Sequence, residues 1–209
     1  MPPSVNPTHS GTKLHQSTPP PGTILILNGA SSSGKTSLLR SLQVLLAEPF
    51  LDAGIDKFIW MLPKRYLDRP LWDEVLGLNV RAGPLGHRLF SGMHHAIAAL
   101  SRAGNPVLAD HVLVEPRWVA ECAALFSGLP AYLVGLRCPL EVLEERERQR
   151  RDRTWGQARE QFEVVHAHVV YDLEVDTSLH SPEECALQVR DMLQAGNVPR
   201  AFKLLKEER

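Results

Sequence analysis

The segment Gly29-Ala-Ser-Ser-Ser-Gly34-Lys35-Thr36 restricts what this chain can fold into more than any other. It matches G-x-x-x-x-G-K-[ST] at every fixed position. Before it runs Thr23-Ile-Leu-Ile-Leu-Asn28, apolar without interruption, as a strand covered on both faces must be. After it, Thr36 to Leu46 carries Leu38, Leu39, Leu42, Leu45 and Leu46 at helical spacing. Glycines at the fixed positions let the backbone wrap tightly, so that successive N–H groups converge on an anion. The cradle predicted from this pattern comprises Gly29, Ala30, Ser31, Ser32, Ser33, Gly34, Lys35, Thr36 and Ser37. Lys35 would neutralise the β- and γ-phosphates of ATP, and Thr36 would place its hydroxyl on Mg²⁺. The helix that follows aims its positive end at the same charge.

Downstream, short apolar runs alternate with helical patterns. Pro49 to Asp56, Pro106 to Asp110, Ala131 to Arg137 and Leu173 to Asp176 read as further strands. Helices are expected over 57–62, 86–102, 116–126, 139–153 and 157–170. The last begins at Ser181-Pro-Glu-Glu184, an N-cap serine, a first-turn proline and a glutamate placed to close a capping box. Five strands in such alternation predict an α/β fold, a parallel five-stranded sheet with helices on both faces. In that architecture ligands gather at the carboxyl ends of the strands. Met1 to Gly22, rich in Pro, Ser, Thr and His, reads as a disordered tail, and residues 23–209 as one domain.

Composition narrows the function classes. A formal net charge of −1 gives no electrostatic footprint for nucleic acid or a membrane surface. The three cysteines, Cys122, Cys138 and Cys185, are too scattered for a zinc site or a disulfide frame. No apolar run approaches the ~20 residues that span a bilayer, so a cytoplasmic enzyme is expected. Oligomeric state is not legible in the sequence.

Two carboxylates end predicted strands. Asp56 fits a general base that orients the acceptor hydroxyl and takes its proton, or an N-cap of the helix after it; both roles are compatible. Asp110 fits the Mg²⁺ shell, against an exposed loop position. His111 next to it reads either as a donor to substrate or as a packing residue. The run Glu144 to Arg153 is dense in both signs of charge. It reads as a solvated helix, with pairs such as Glu144–Arg148 and Glu147–Arg151, and also as a lid over about residues 144–156. Arg146, Arg150 and Arg153 are the candidates to reach a transferring phosphoryl group.

Four segments together resemble the chloramphenicol phosphotransferase family. They are Asn28 to Lys35; Glu48 to Asp56 with Met61-Leu-Pro63; Val134 to Cys138 with the arginine-rich stretch ending at Arg153; and Val165 to Thr177 followed by Glu184-Cys185-Ala186. The resemblance implies a P-loop kinase-type fold and an ATP-dependent enzyme that phosphorylates the primary hydroxyl of chloramphenicol. It implies Asp56 as general base, Lys35 and Thr36 at the phosphates, and Arg146, Arg150 and Arg153 as lid arginines. The chain departs from the family at His111, where a second aspartate is expected, and over Lys64 to Arg81, which would wall the acceptor pocket. The main expectation is therefore a kinase for a small hydroxylated molecule. A zeta-toxin-like or other metabolite kinase is the alternative acceptor reading, and a nucleotide-binding switch the alternative class.

Overall fold

The computed structural model describes residues 19–67, 82–149 and 156–207. Five parallel strands lie in the order β2-β3-β1-β4-β5. They are β1 (Ile24–Asn28), β2 (Leu51–Asp52), β3 (Val107–His111), β4 (Ala131–Arg137) and β5 (Leu173–Asp176). The helices are α1 (Lys35–Leu45), α2 (Ile55–Ile59), α3 (Pro84–Arg102), α4 (Pro116–Phe126), α5 (Leu140–Gln149), α6 (Gln157–Phe162), α7 (Pro182–Gln194) and α8 (Ala201–Glu207). The α/β class and the five-stranded parallel sheet follow the expectation from sequence.

β1 is central because its side chains are apolar on both faces. Ile24 and Ile26 enter the core beneath α3, α4 and α8, with Phe90, Met93, Trp118, Phe126 and Phe202. Leu25 and Leu27 enter the opposite core beneath α1 and α7, with Leu38, Leu42, Cys185 and Val189. Each fully buried side chain of this size contributes about 1.5–3 kcal/mol. Pairing in register to β3 (Ile24 with Val107) and to β4 (Ile24 with Ala131) fixes which loops meet at the carboxyl edge. At the other edge Gly22 N–H donates to Ser101 O at 2.8 Å, and Ser101 Oγ to Gly22 O at 2.6 Å. Packed chain thus begins by Gly22, a position grouped with the tail on composition.

Several boundaries differ from the sequence reading, each for a local reason. β2 stops at Asp52 because that carboxylate turns the chain by accepting from Gly54 N–H (3.1 Å). α2 consequently starts at Ile55, so Asp56 lies in its first turn rather than at the end of a strand. Gly54 is the N-cap and has no side chain to cap the helix, while Ile55 N–H is taken by the Asp110 carboxylate, so Asp56 does not fill the capping role considered for it. α6 ends at Phe162, not near Val170; beyond it Val165 O accepts from Asn28 Nδ2 (2.8 Å) and the chain proceeds in turns. α8 is an addition. Its first N–H groups, from Arg200 and Ala201, are taken by the distant Asp172 Oδ1 (2.6 and 3.1 Å), a partner that no local pattern reveals.

The capping box of α7 is present as read. Glu184 N–H donates to Ser181 Oγ (3.2 Å) and Ser181 N–H to Glu184 Oε2 (2.7 Å). Ser181→Ala should destabilise the protein by about 1 kcal/mol. In thermal unfolding that is a fall of about 2–4 °C in Tm, and an unchanged Tm would show the cap to be dispensable.

Candidate active site

A cavity of about 680 Å³ opens at the carboxyl ends of the strands. Its floor is the turn from β1 into α1. Gly34 is left-handed (φ 87°), as is the non-glycine Ser32 (φ 64°), so the turn folds its N–H groups inward. The hydroxyls of Ser31, Ser32 and Ser33 are buried and find no hydrogen-bond partner among the described residues. Lys35 Nζ donates to Gly29 O and Ala30 O, both at 2.7 Å, and Lys35 is itself buried. Ser31, Ser32, Ser33, Gly34, Lys35, Thr36 and Ser37 all line the cavity. Gly29 and Ala30 lie behind them, supplying carbonyls to Lys35.

Thr177, just beyond β5, braces the turn. Its hydroxyl donates to Ser33 O (2.9 Å) and accepts from Arg146 Nη1 (3.2 Å), while Arg146 Nη2 donates to Thr177 O (2.6 Å). Arg146 therefore lines the cavity, held on the loop that closes its β5 side. Arg150 and Arg153 lie outside the described residues, as do residues 150–155 of the expected lid and the stretch 68–81 of the expected acceptor wall. The anticipated Glu144–Arg148 pair is replaced by Arg148–Glu145 (2.5 Å) and by Glu144 with Arg159 (2.6 Å). Glu147 turns inward and accepts from Gly156 N–H and Ala158 N–H, both at 3.0 Å. That buried carboxylate ties the start of α6 back onto α5.

Carboxylates gather on the opposite side. Asp56 and Asp110 both line the cavity. Burial raises the Asp110 carboxyl above its ordinary value, Lys35 pulls it down, and the charges of Asp56 and Asp52 push it up; Ile55 N–H donates to it. The approach is close because residue 54 lacks a side chain: a Cβ on Gly54 would stand 2.0 Å from Asp110 Oδ1. Ile55, Ile59 and Val112 supply apolar wall, and Gln157 and Gln161, one helical turn apart on α6, supply carboxamides. No group of three or more His, Cys, Asp or Glu among the described residues is placed to hold a metal ion. The donor set instead suits Mg²⁺, which takes one or two protein oxygens and completes its shell with phosphate and water.

His111 does not line the cavity. It is fully buried and packs on Phe90 and Trp118. Val112 N–H donates to its Nδ1 (2.7 Å), which places the proton on Nε2 and directs it to His94 Nε2 (2.8 Å). His94 Nδ1–H then donates to Glu121 Oε2 (2.6 Å), whose other oxygen accepts from Ser91 Oγ (2.6 Å). Of the two roles open for His111, the structure shows packing. Sequence reasoning missed Asp52, Glu147, Gln157 and Gln161. A usable signal existed for the glutamines, since both share the helical face of Ala158.

Among the described residues no helix is long and apolar enough to cross a membrane. The pattern of the chloramphenicol phosphotransferase-like protein family matches residues 22–194. A Mycobacterium tuberculosis protein named "Putative O-phosphotransferase" is 34% identical over 201 residues, 90% of this chain and 89% of that one. Among solved structures, a sugar kinase from Janibacter sp. HTCC2649 superposes with TM-score 0.63 at 17% identity, covering 83% of this chain and 95% of the other. The Mycobacterium tuberculosis APS kinase CysC, in complex with AMPPNP and APS, gives 0.60 at 20% identity, covering 84% and 99%. Shikimate kinase from Acinetobacter baumannii gives 0.59 at 16%, covering 87% and 97%. At these identities the structural likenesses establish the fold.

The histidine chain sets a pH limit on stability. Burial holds His94 below its ordinary value of 6.5 and His111 well below it. The folded protein thus binds fewer protons than the unfolded chain below that value. The stabilisation is complete above pH 6.5 and is lost as the pH falls through the depressed folded values. Thermal unfolding between about pH 7.5 and about pH 5.5 should show Tm falling with acidification, and His94→Gln should lessen the slope. A slope unchanged in the variant would remove His94 from this role.

Proposed function

The chain belongs to the chloramphenicol phosphotransferase-like family, and on that premise we propose that it transfers the γ-phosphate of ATP to an alcohol group of a small molecule. One observation carries the reading. A single cavity has an anion cradle with a buried lysine on one side and the Asp56 carboxylate on the other. A nucleotide switch needs the first and has no use for the second.

The residues divide the work by position. The inward N–H groups from Ser31 to Thr36, with Lys35, hold the triphosphate and stabilise charge that grows on it during transfer. Thr36 and Asp110 would hold Mg²⁺, which when bound offsets phosphate charge. Asp56 lies in the first turn of a rigid helix, aimed at the same space. It orients the acceptor hydroxyl for in-line attack and accepts its proton as the new O–P bond forms. Arg146, held by Thr177, is the described arginine that lines the cavity; Arg150 and Arg153 complete the proposed lid, whose closure excludes water. Ile55, Ile59 and Val112 give the acceptor side an apolar wall, suited to a molecule with a hydrophobic body and a free hydroxyl. Chloramphenicol, phosphorylated on its primary hydroxyl, is the proposed acceptor class.

ATP consumption with Mg²⁺, with and without chloramphenicol and with product mass determined, tests the proposal. A phosphorylated antibiotic is the expected product. ATP hydrolysis indifferent to chloramphenicol and to other alcohols would overturn the transferase reading. Asp56→Asn should lower kcat by about 10²–10⁴, with nucleotide binding retained; an unchanged kcat would rule out the base. Lys35→Ala should weaken ATP use with every acceptor.

A further inference from the structure

Two amides of the cradle are already engaged, Ser33 N–H by Ala30 O within the turn (3.2 Å) and Ser31 N–H by a side chain from outside it. Gln161 Oε1 accepts from Ser31 N–H at 2.6 Å. Both residues are buried, and both line the cavity. Ser31 is therefore the point where the cradle meets α6, while Gly34, further along the turn, meets Thr177. The carboxamide is delivered by a segment fixed at both ends. Glu147 binds Gly156 N–H and Ala158 N–H before it, and Asn28 binds Val165 O after it. Gln161 can thus leave Ser31 by rotating its own side chain into the cavity, with the backbone of α6 unchanged.

We propose that Gln161 is a further residue of the nucleotide site, whose carboxamide oxygen holds the place of a phosphate oxygen on Ser31 N–H until nucleotide displaces it. The inference rests on the reading of the Gly29–Thr36 turn as a nucleotide cradle. A carbonyl oxygen and a phosphate oxygen ask the same thing of an N–H, but the phosphate hydrogen bond is charge-assisted and stronger. Nucleotide therefore wins the exchange while forfeiting the neutral bond it breaks. Without nucleotide, the carboxamide keeps a buried donor satisfied and the left-handed turn in shape. With nucleotide, the freed carboxamide stays in the cavity, whose wall it shares with Gln157.

Competition has a signature that a structural role does not. Removing the oxygen should tighten nucleotide binding, and replacing it with a carboxylate should weaken binding. A residue that merely supports the loop would weaken binding in both variants. Calorimetric titration of the full chain with AMPPNP and Mg²⁺ reads this without any acceptor. Gln161→Ala should bind about three- to tenfold more tightly than the wild type, the equivalent of one neutral hydrogen bond. Gln161→Met, which keeps the volume, should do the same, and carries the test if the alanine variant fails to fold. Gln161→Glu should bind more weakly. Equal or weaker binding in both the alanine and methionine variants overturns the role of Gln161 while leaving the cradle intact. No binding of AMPPNP by the wild type overturns the cradle reading, and this inference with it.

Discussion

Everything at the site depends on one backbone turn between β1 and α1 that directs its N–H groups into space instead of into a ladder. Unpaired amides are costly, so the protein surrounds the turn with groups that fix its shape. Thr177 holds Ser33 O, Lys35 holds the carbonyls of Gly29 and Ala30, and Gln161 takes Ser31 N–H. Asn28, the last residue of β1, spends its side chain on Val165 O, Tyr171 Oη and Leu113 N–H. These braces come from both sides of the central strand. The turn is thereby coupled to the segments after β3, α6 and β5, which form the rest of the cavity wall.

Charge is arranged around this turn by the same economy of space. Burial raises the Asp110 carboxyl, Lys35 draws it back, and the nearby Asp56 and Asp52 charges add to the rise. Asp52 is spent locally on Gly54 N–H and on Lys57, at 3.3 Å. Asp110, penalised by its burial, is compensated by Lys35 and by Ile55 N–H. Asp56, in the first turn of α2, benefits from the positive end of that helix while facing the cavity. Behind Asp110 the chain changes character: His111, His94, Glu121 and Ser91 form a directional run of hydrogen bonds that locks the end of β3 against α3 and α4. His111, where the resemblance implies an aspartate, therefore packs behind the site and does not line the cavity.

Legibility in the sequence follows the range of the interactions involved. β4, β5, α4 and the start of α7 are found where the pattern places them, because their signals are local: apolar runs, a first-turn proline, a capping box. β2, α6 and α8 are not, because their limits are set by distant partners. Asp52 turns β2 early, Asn28 reaches across to Val165, and Asp172 caps α8 from 28 residues away along the chain. The charged helix α5 shows both sides of this. Its helicity is legible, yet the pairing of Glu144 is not, since the distant Arg159 takes Glu144 while Arg148 pairs with Glu145; Arg151, the partner expected for Glu147, lies outside the described residues.

The sequence by itself determined the glycine-bounded turn after β1, the parallel α/β sheet and the gathering of Lys35, Thr36, Asp56 and Asp110 at the carboxyl edge of the strands, where all four line the cavity. Each is encoded within a few positions, by a motif or by a strand followed by a turn. Tertiary structure alone decided that His111 faces the core, that Arg146 is held on Thr177, and that Gln161 sits on Ser31 N–H. Those outcomes depend on which loops the strand order brings together, and contacts between residues more than a hundred positions apart leave no periodicity in the chain to read.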